Sequence, residues 1–504
     1  MKHSCIKINE LDNVAVAIRD LKKGEYISDD CRLNDDIPQA HKIALKDIKK
    51  DEAIIRYGVE LGFALKDIKK GDWINENMLK LPVPPQLDNL KFSTNIVREL
   101  PKPKINTFEG YDNGEGKYAG TRNILAISTT VQCVSGVLNV AVKKIKKDIL
   151  PKYNNVDDVI AINHAYGCGV AINAKNADIP IRSLKNLIKN PNFGGEVMLI
   201  GLGCEKLTTD MLIDAKLINE DNVIILQEKK GFDNMIDSIV KMAEKKLEKL
   251  NKRKRKTLPL SKLCIGMQCG GSDAFSGISA NPSAGYASDM LVEAGATVMF
   301  SEVTEARDGV HILASRCLDE EVGKKLASEM KWYDDYLAIG EADRSANPAP
   351  GNKKGGLSNI VEKAMGSIAK SGSAPIVEVL SPGQTPTKHG LIYAATPSSD
   401  IVCGPSQLAS GITLQVFMTG RGTPYGLAAA PVIKVSSRND LKDMWGDLID
   451  ISAGDIVIGT STIEEVGEKL FNEIIDIASG RKKSFAEKYY LCNDMCIFNP
   501  APIT

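Results

Sequence analysis

The stretch Ile124-Leu-Ala-Ile-Ser-Thr-Thr-Val-Gln-Cys133 begins with four apolar residues and passes directly into polar residues and a cysteine. Similar short apolar runs recur along the rest of the chain, and helical patterns separate them. These runs are Val159–Ile162, Val197–Ile200, Leu263–Ile265, Thr297–Phe300 and Ile376–Leu380. Continuous apolar runs of this kind are typical of parallel strands that are covered on both faces. The sequence therefore predicts α/β architecture from about residue 105 onward.

The first eighty residues contain a repeat of another kind. Ala17–Ile27, Ala44–Ile54 and Ala64–Ile74 each hold a short apolar run, a Lys-Lys turn and a second apolar stretch. This pattern predicts strand-turn-strand units, so we expect a small all-β domain over residues 1–82. The prolines that follow predict an extended linker over residues 83–104.

The α/β part of the chain divides near a run of lysines. We predict a lysine-rich helix from Lys241 to Lys256 that ends before Pro259, with its charges on a solvated face. This helix separates a middle α/β domain, residues 105–256, from a carboxyl-terminal α/β domain, residues 257–504. A length of 504 residues is consistent with about three domains.

The composition argues against several classes of partner. The 64 basic and 64 acidic residues balance, so there is no electrostatic reason to expect a nucleic acid or an anionic membrane as partner. No apolar run reaches the roughly 18 residues of a membrane span, and the first residues lack the apolar core of a secretory signal. We therefore expect a cytoplasmic protein that acts on a small molecule.

Four of the eleven cysteines follow apolar runs, at the edge where open α/β sheets bind ligands. They are Cys133, Cys168, Cys204 and Cys269; a weaker fifth case is Cys403, after Ile401-Val402. Neighbouring glycines leave a sulfur accessible, and thiolates near an imidazole suit iron, zinc or an iron–sulfur cluster. We predict these four as metal ligands. The alternative is that small cysteines are simply tolerated in tight turns.

Histidines and carboxylates supply candidates for acid–base catalysis. His164 lies four residues before Cys168 in the same predicted loop, and His41 lies in the all-β domain. Asp273, Glu302 and Glu305 follow two predicted strands. These three acids could act as acid and base, could hold a second divalent cation such as Ca²⁺ or Mg²⁺, or could cap the next helices.

Two glycine-rich loops carry basic residues. Lys353 and Lys354 lie in one loop and Arg421 lies in the other. Neither loop matches the phosphate-loop pattern, so nucleotide binding is not supported. Such loops next to helix starts bind anions, and Arg421 could grip a carboxylate with two hydrogen bonds. We predict these three residues, together with Ser272, as substrate-binding residues.

Several longer stretches resemble the altronate/galactarate dehydratase family. They are Phe108–Asn123, Asn163–Gly169, Gly201–Glu205 and Gln268–Gly277; Asn190–Met198, Val298–Glu305, Asp343–Pro348, Gly351–Leu357 and Phe498–Thr504 are most similar to the galactarate branch. The likeness covers essentially the whole chain. It implies an amino-terminal β-clip domain of the SAF type, a middle domain used for dimerisation and a carboxyl-terminal Rossmann-like domain.

The resemblance also implies an activity and a cofactor. The implied reaction converts galactarate to 5-dehydro-4-deoxy-D-glucarate and water, and the implied cofactor is Fe²⁺, as a single ion or in an iron–sulfur cluster. Two departures from the family pattern concern the amino-terminal domain, which reads Ala40-His-Lys42 for Gly-His-Lys and Trp73-Ile-Asn-Glu-Asn77 for Trp-Val-His-x-His. A metal site with several histidines is therefore not expected there, and the second departure favours the galactarate branch.

Other functions remain open at this stage. Dehydration removes a proton next to a carboxylate and expels the neighbouring hydroxyl, and a metal and an acid can assist both steps. The substrate could instead be altronate or another sugar acid or sulfonated hydroxy acid. In a different class, the thiols could serve a non-catalytic iron or redox sensor, although a sensor does not need two anion-binding loops.

Overall fold

The computed structural model describes residues 4–93 and 96–503. It confirms the predicted α/β class, with a small strand-rich region at the amino terminus and two parallel sheets after it. Among the described helices, none is long and apolar enough to cross a membrane.

The amino-terminal module is built from nine short strands. They are β1 (Cys5–Ile6), β2 (Val14–Ala17), β3 (Tyr26–Ser28), β4 (Cys31–Arg32), β5 (Lys42–Ala44), β6 (Ala53–Arg56), β7 (Val59–Ala64), β8 (Trp73–Ile74) and β9 (Leu79–Lys80). Strands β1, β2, β5 and β8 form one antiparallel sheet, and β6, β7 and β9 form another.

The sequence repeat explains how this module closes. Ile48 and Ile68, at equivalent positions of two copies, pair in an antiparallel bridge and are buried together with Ile54 and Ile74. On the surface the same two copies exchange ion pairs, Lys49 with Asp67 and Lys69 with Asp47, both at 3.2 Å. The two copies therefore face each other with approximate twofold symmetry.

The chain contacts the carboxyl-terminal domain where the predicted linker begins. The carbonyl oxygens of Pro82 and Pro85 accept hydrogen bonds from Arg344 (2.7 Å) and Arg307 (2.9 Å). Strand β10 (Thr107–Gly110) follows it.

The middle domain has a four-stranded parallel sheet. Its strands are β11 (Ile124–Thr129), β12 (Asp158–Ile162), β13 (Leu199–Gly201) and β14 (Val223–Ile225), in the order β12-β11-β13-β14. Its helices are α1 (Ser135–Lys144), α2 (Asp178–Leu187), α3 (Thr209–Leu212) and α4 (Gly231–Asn251), and a π-helical turn, Ile145–Ile149, extends α1.

The prediction for the lysine-rich helix was wrong in its bounds. Helix α4 begins at Gly231, because its apolar face already packs inward at Ile236 and Ile239, and it ends at Asn251. Residues beyond it form strand β15 (Lys256–Pro259), which pairs antiparallel with β10.

The carboxyl-terminal domain holds a seven-stranded sheet, parallel throughout. Its strands are β16 (Cys264–Cys269), β17 (Thr297–Ser301), β18 (Ile376–Leu380), β19 (Leu391–Ala394), β20 (Leu414–Thr419), β21 (Val432–Ser436) and β22 (Ile451–Ser452), in the order β18-β19-β17-β16-β20-β21-β22. From β16 the chain passes to β17, then to the edge strand β18 and back to β19. It then crosses to β20 on the other side of β16. The crevice between the carboxyl ends of β16 and β20 is thus a topological switch point, where such sheets bind ligands.

Helices cover both faces of this sheet. They are α5 (Ala280–Glu293), α6 (Val310–Ala314), α7 (Glu320–Ile339), α8 (Pro350–Lys354), α9 (Ile360–Ile368), α10 (Asp400–Ala409), α11 (Asn439–Met444), α12 (Gly454–Val457), α13 (Ile463–Ala478) and α14 (Phe485–Lys488). Cys403 lies inside α10, so the weaker strand-end prediction was wrong: the strand before it is β19, which ends at Ala394.

Candidate active site

The carboxyl ends of the two central strands carry a thiol and two carboxylates. Cys269 is the last residue of β16, Glu302 directly follows β17, and Glu305 is three residues further on. One sulfur and two carboxylate oxygens, one from each side chain, lie within 4.8 Å of one another. Because β16 and β17 are adjacent and parallel, residues at their carboxyl ends lie close together.

Helix α9 and the turn after it bring two lysines to the same place. The Lys370 ammonium lies 2.7 Å from Glu302 Oε2, 2.8 Å from Ser367 Oγ and 3.3 Å from Cys269 Sγ. The Lys363 ammonium lies 2.7 Å from Glu305 Oε1. We call Cys269, Glu302, Glu305, Lys363, Ser367 and Lys370 the buried ion cluster; each of these residues is at most 8% exposed.

The backbone at Glu302 is held in an uncommon conformation. Its φ is 83°, in the left-handed region that residues with side chains rarely adopt. Its amide donates to Thr396 Oγ1 at 3.2 Å, which helps to fix the turn. Strained backbone of this kind concentrates at functional sites, because the surrounding structure must hold it in place.

The two carboxyl groups of the cluster differ in their affinity for a proton. Burial, together with the charge of Glu305, raises the pKa of Glu302. Burial also opposes ionisation of Glu305, but Lys363 and Lys370 hold its pKa below the ordinary value. Neighbouring carboxyls whose pKa values are pushed apart are the usual arrangement for a paired acid and base.

Burial favours the protonated form of the thiol in this cluster. Burial raises the pKa of Cys269 to about 12, although Lys370 opposes that shift. The thiol can donate a hydrogen bond to Glu305 Oε2 at 3.5 Å. A divalent cation here would have to displace two ammonium groups and deprotonate this thiol, so the donor set fits acid–base chemistry better than it fits a metal.

A partly exposed carboxylate borders the cluster. Asp400 begins helix α10 and accepts a hydrogen bond from Gln268 Nε2 at 3.1 Å. Burial and the nearby charge of Glu305 raise its pKa to about 6.

A small cavity of about 10 Å³, room for roughly one water, touches Ser272, Lys363 and Ser367.

The two basic loops meet at the switch point. Gly355 of the first loop packs against the side chains of Arg421 and Asp273, which leaves little room for a Cβ. The Arg421 amide donates to Gly271 O at 2.7 Å, and the Arg421 side chain is exposed. Lys353 is partly buried and Lys354 is exposed. The two loops that carry the predicted anion-binding residues therefore meet next to the turn after β16.

Of the two predicted residues in the turn after β16, Asp273 is engaged by its neighbours and Ser272 is not. The buried Asp273 carboxylate accepts from Ser276 N (2.8 Å) and Ser437 Oγ (2.9 Å), so it fixes the turn after β16. Ser272 Oγ, in contrast, is buried without a hydrogen-bond partner among the described residues. Such an orphaned hydroxyl is available to a ligand or a water.

His41 is also engaged on both ring nitrogens. Trp73 Nε1 donates to His41 Nδ1 at 3.1 Å, so Nε2 carries the proton and faces Lys354 O at 3.3 Å. Burial lowers its pKa, which keeps the ring neutral. His41 therefore joins the amino-terminal module to the first basic loop.

The other three predicted metal ligands lie on the middle sheet. Cys133, Cys168 and Cys204 are exposed and follow β11, β12 and β13, three strands that are neighbours in the sheet. Cys269 belongs to the other sheet and is buried. The four predicted cysteines are thus divided between two regions.

The loops that carry these three thiols interlock. Gly167 has a φ of 118° and packs directly on the Thr130 carbonyl, where a side chain would collide. Leu207 N donates to Gly167 O at 3.3 Å, and the Thr130 hydroxyl bonds to Glu205. We call Cys133, Cys168 and Cys204 the exposed thiol group.

His164 is buried at the carboxyl edge of the middle sheet, where it bonds to the end of strand β11. Its Nε2 donates to Thr129 O at 2.8 Å, which leaves Nδ1 as the unprotonated nitrogen. Burial lowers the pKa of His164, so the ring is neutral at physiological pH.

Sequence analysis missed four residues of the site: Lys363, Ser367, Lys370 and Asp400. Lys363 and Lys370 are seven residues apart in a mainly apolar stretch, a spacing that puts both on one helix face. A lysine pair on the buried face was therefore a usable signal. Asp400 was missed because strand β19 was not among the predicted runs.

Comparison with known proteins gives matches along nearly the whole chain. Residues 3–82 match the model of the altronate/galactarate dehydratase SAF domain, residues 110–251 that of the D-galactarate dehydratase/altronate hydrolase second domain, and residues 260–503 that of the D-galactarate/altronate dehydratase C-terminal domain. The chain is 57% identical to the galactarate dehydratase (L-threo-forming) of Escherichia coli (strain K12), over 99% of this chain and 97% of that protein.

More distant relatives carry other names. An altronate dehydratase of Bacillus subtilis (strain 168) is 34% identical over 95% of both chains. The (2R)-sulfolactate sulfo-lyase subunit beta of Chromohalobacter salexigens is 28% identical over 75% of this chain and 94% of that protein.

Proposed function

Because this chain belongs to the galactarate/altronate dehydratase family, we propose that it dehydrates galactarate to 5-dehydro-4-deoxy-D-glucarate. The observation that carries the choice of substrate is the 57% identity to a galactarate dehydratase along essentially the full length, against 34% to an altronate dehydratase. The enzyme class, a hydro-lyase, is common to both relatives.

The two basic loops at the switch point suit a substrate with a carboxylate at each end. Arg421 and the Lys353–Lys354 pair belong to two loops that meet next to the turn after β16. The Ser272 hydroxyl in that turn lacks a hydrogen-bond partner among the described residues. We assign one carboxylate of galactarate to Arg421, with Lys353 and Lys354 adding positive charge. This places the carbon chain between the loops and the buried ion cluster.

The buried ion cluster then supplies the proton transfers. Glu305, kept ionised by Lys363 and Lys370, takes the proton next to the substrate carboxylate. Glu302, whose pKa is raised, gives a proton to the departing hydroxyl on the neighbouring carbon. The ammonium groups of Lys363 and Lys370 stabilise the negative charge that develops on the substrate carboxylate. The resulting enol becomes the keto acid.

Substrate entry requires residues over the cluster to move, because the cluster itself is closed to solvent. Asn347 lies over it: its Oδ1 accepts from Lys363 at 2.9 Å and its Nδ2 is 3.5 Å from Glu305 Oε1. Most of its neighbours from Asp343 to Pro350 are exposed. We propose that this loop opens to admit galactarate.

Iron is the cofactor that we propose, held by the exposed thiol group. Three accessible thiols follow adjacent strands of the middle sheet, and His164 lies in the same loop as Cys168. Thiolates and imidazoles are ligands that suit iron or an iron–sulfur cluster. When bound, iron would supply a Lewis acid at the edge of the middle sheet. A second cation such as Ca²⁺ or Mg²⁺ stays a prediction without an assigned site. The cytoplasmic location and the homodimer also stay proposals.

The test is an anaerobic assay of the purified protein with ferrous iron and a reductant. Galactarate, glucarate and altronate are offered separately, and keto-acid formation is measured with a carbonyl reagent. We expect turnover of galactarate alone. Turnover of altronate would move the substrate assignment to the other branch, and iron-loaded protein without any turnover would favour a binding or sensing role.

A further inference from the structure

The amino-terminal module is joined to helix α9 by a group of buried charges. The Lys42 ammonium lies 2.8 Å and 3.0 Å from the two Glu362 carboxylate oxygens and 2.6 Å from Gly356 O. The Arg56 guanidinium pairs with the same carboxylate and donates to Ala274 O at 2.7 Å. All three side chains are at most 1% exposed. We call Lys42, Arg56 and Glu362 the module clamp.

The clamp holds the helix that carries the two lysines of the buried ion cluster. Glu362 directly precedes Lys363, which pairs with Glu305. Asn359, the residue that caps α9, donates a second bond to the module, from Nδ2 to Leu61 O at 2.7 Å. The first turn of α9 is therefore tied to the module at both Asn359 and Glu362, and its rotation sets the positions of Lys363 and Lys370.

The charges of the clamp are unusual for a contact that only holds two domains together. Two cations face one carboxylate, and burial together with the charge of Arg56 pushes the pKa of Lys42 well down. Replacing buried ion pairs by apolar residues often leaves stability unchanged or improves it. What such groups can supply instead is a fixed geometry, because their hydrogen bonds tolerate little displacement.

We propose that Lys42 and Arg56 are positioning residues for the reaction, acting through Glu362 to set Lys363 and Lys370 against Glu305 and Glu302. This inference rests on the proposed function, because it takes the buried ion cluster as the acid–base centre. It gives the amino-terminal module a role in the chemistry even though the module contributes no side chain to the cluster.

Lys42→Met tests this without leaving an unpaired buried charge, since Arg56 and Glu362 still form a pair. The first turn of α9 should become more mobile, and the ion pair between Lys363 and Glu305 should weaken. Because Lys363 keeps the pKa of Glu305 low, that pKa should rise, and the acid limb of the kcat/KM profile should shift to higher pH. The value of kcat should fall by on the order of a hundredfold. The change in KM should be smaller, because the variant removes a single bond to the first basic loop, the one from Lys42 to Gly356 O.

Lys49→Met is the matched control in the same module. It breaks only the exposed ion pair with Asp67, and such surface pairs contribute little. Asn359→Ser is a second variant: it keeps an oxygen to cap α9 but removes the donor to Leu61. It should shift the acid limb in the same direction by a smaller amount.

Hydrogen exchange of residues 360–371 in the full-length protein gives a readout that does not need activity. Faster exchange there together with the shifted acid limb, in Lys42→Met and not in Lys49→Met, supports the proposal. Unchanged exchange overturns it, and so does faster exchange with a wild-type pH profile. A failure of the proposed function is seen separately, as no turnover in the unsubstituted protein, and the exchange comparison then still decides whether the clamp holds α9.

Discussion

The carboxyl edges of the two parallel sheets carry the same sequence feature and have opposite chemistry. Cys269 at the end of β16 is buried, and its pKa is raised to about 12. Cys133, Cys168 and Cys204, at the ends of three strands of the middle sheet, are exposed. The difference comes from what covers each edge: helix α9 and the amino-terminal module close one, while the other is open. The cover over a strand end therefore decides whether its thiol is accessible to solvent or is kept protonated by burial.

Glu305→Gln should have the largest effect at the covered edge. It removes the carboxylate that the two lysines keep ionised, so the base is lost, and turnover should fall by on the order of a thousandfold. The iron content should remain that of the wild type, because the exposed thiol group is on the other sheet. Steady-state kinetics and metal analysis of the same preparation measure both.

Glu320→Gln is the control for that change, because Glu320 is exposed and, within the described part of the chain, its ion pair is with Lys324 along helix α7. It should leave turnover unchanged. If Glu305→Gln kept more than about a tenth of wild-type turnover, Glu305 would not be the general base.

Cys168→Ser should separate the two edges by metal content. It removes one thiol of the exposed group, so most of the bound iron should be lost after anaerobic reconstitution and desalting. Cys269→Ser, which keeps a small hydrogen-bond donor in the cluster, should retain its iron. Equal iron loss in both variants would contradict the division of the four cysteines into two groups.

The sheets, and the strand ends on which both edges depend, could be predicted from the sequence. Runs such as Ile124–Ile127 and Thr297–Phe300 are apolar throughout because helices cover both faces, and each ends where polar residues begin. Which elements pack over each of these edges, and therefore which thiols are buried, could not be predicted in the same way. Lys370 reaches Cys269 across 101 residues of sequence. Local patterns carry no information about contacts at such a distance.

The reactivity of the thiols sharpens the comparison without any substitution. In metal-free folded protein, iodoacetamide at pH 8 should modify the exposed thiol group at least a hundredfold faster than Cys269, because the Cys269 thiolate is rare and buried. Peptide mass spectrometry over time measures each site. The control is the same reaction in denaturant, where the rates should converge; Cys269 modification at a comparable rate in the folded state would show that the cluster is open.

Asp400→Asn should have the smallest effect. It tests how much stability the folded protein loses when the Asp400 carboxyl group ionises next to the buried ion cluster. Burial raises the pKa of Asp400 from 3.8 to about 6, so the folded state holds a proton there that the unfolded state has lost. The wild type therefore loses stability as pH rises from about 4 to about 6, by on the order of 3 kcal/mol. Asn keeps an oxygen for Gln268 and has no charge to bury, so its free energy of unfolding relative to wild type should rise over that range and then level off. Denaturant unfolding at pH 4.5 and 7 measures the difference in free energy of unfolding between Asp400→Asn and the wild type. If this difference is the same at both pH values, Asp400 is fully solvated and the buried region does not extend beyond the buried ion cluster.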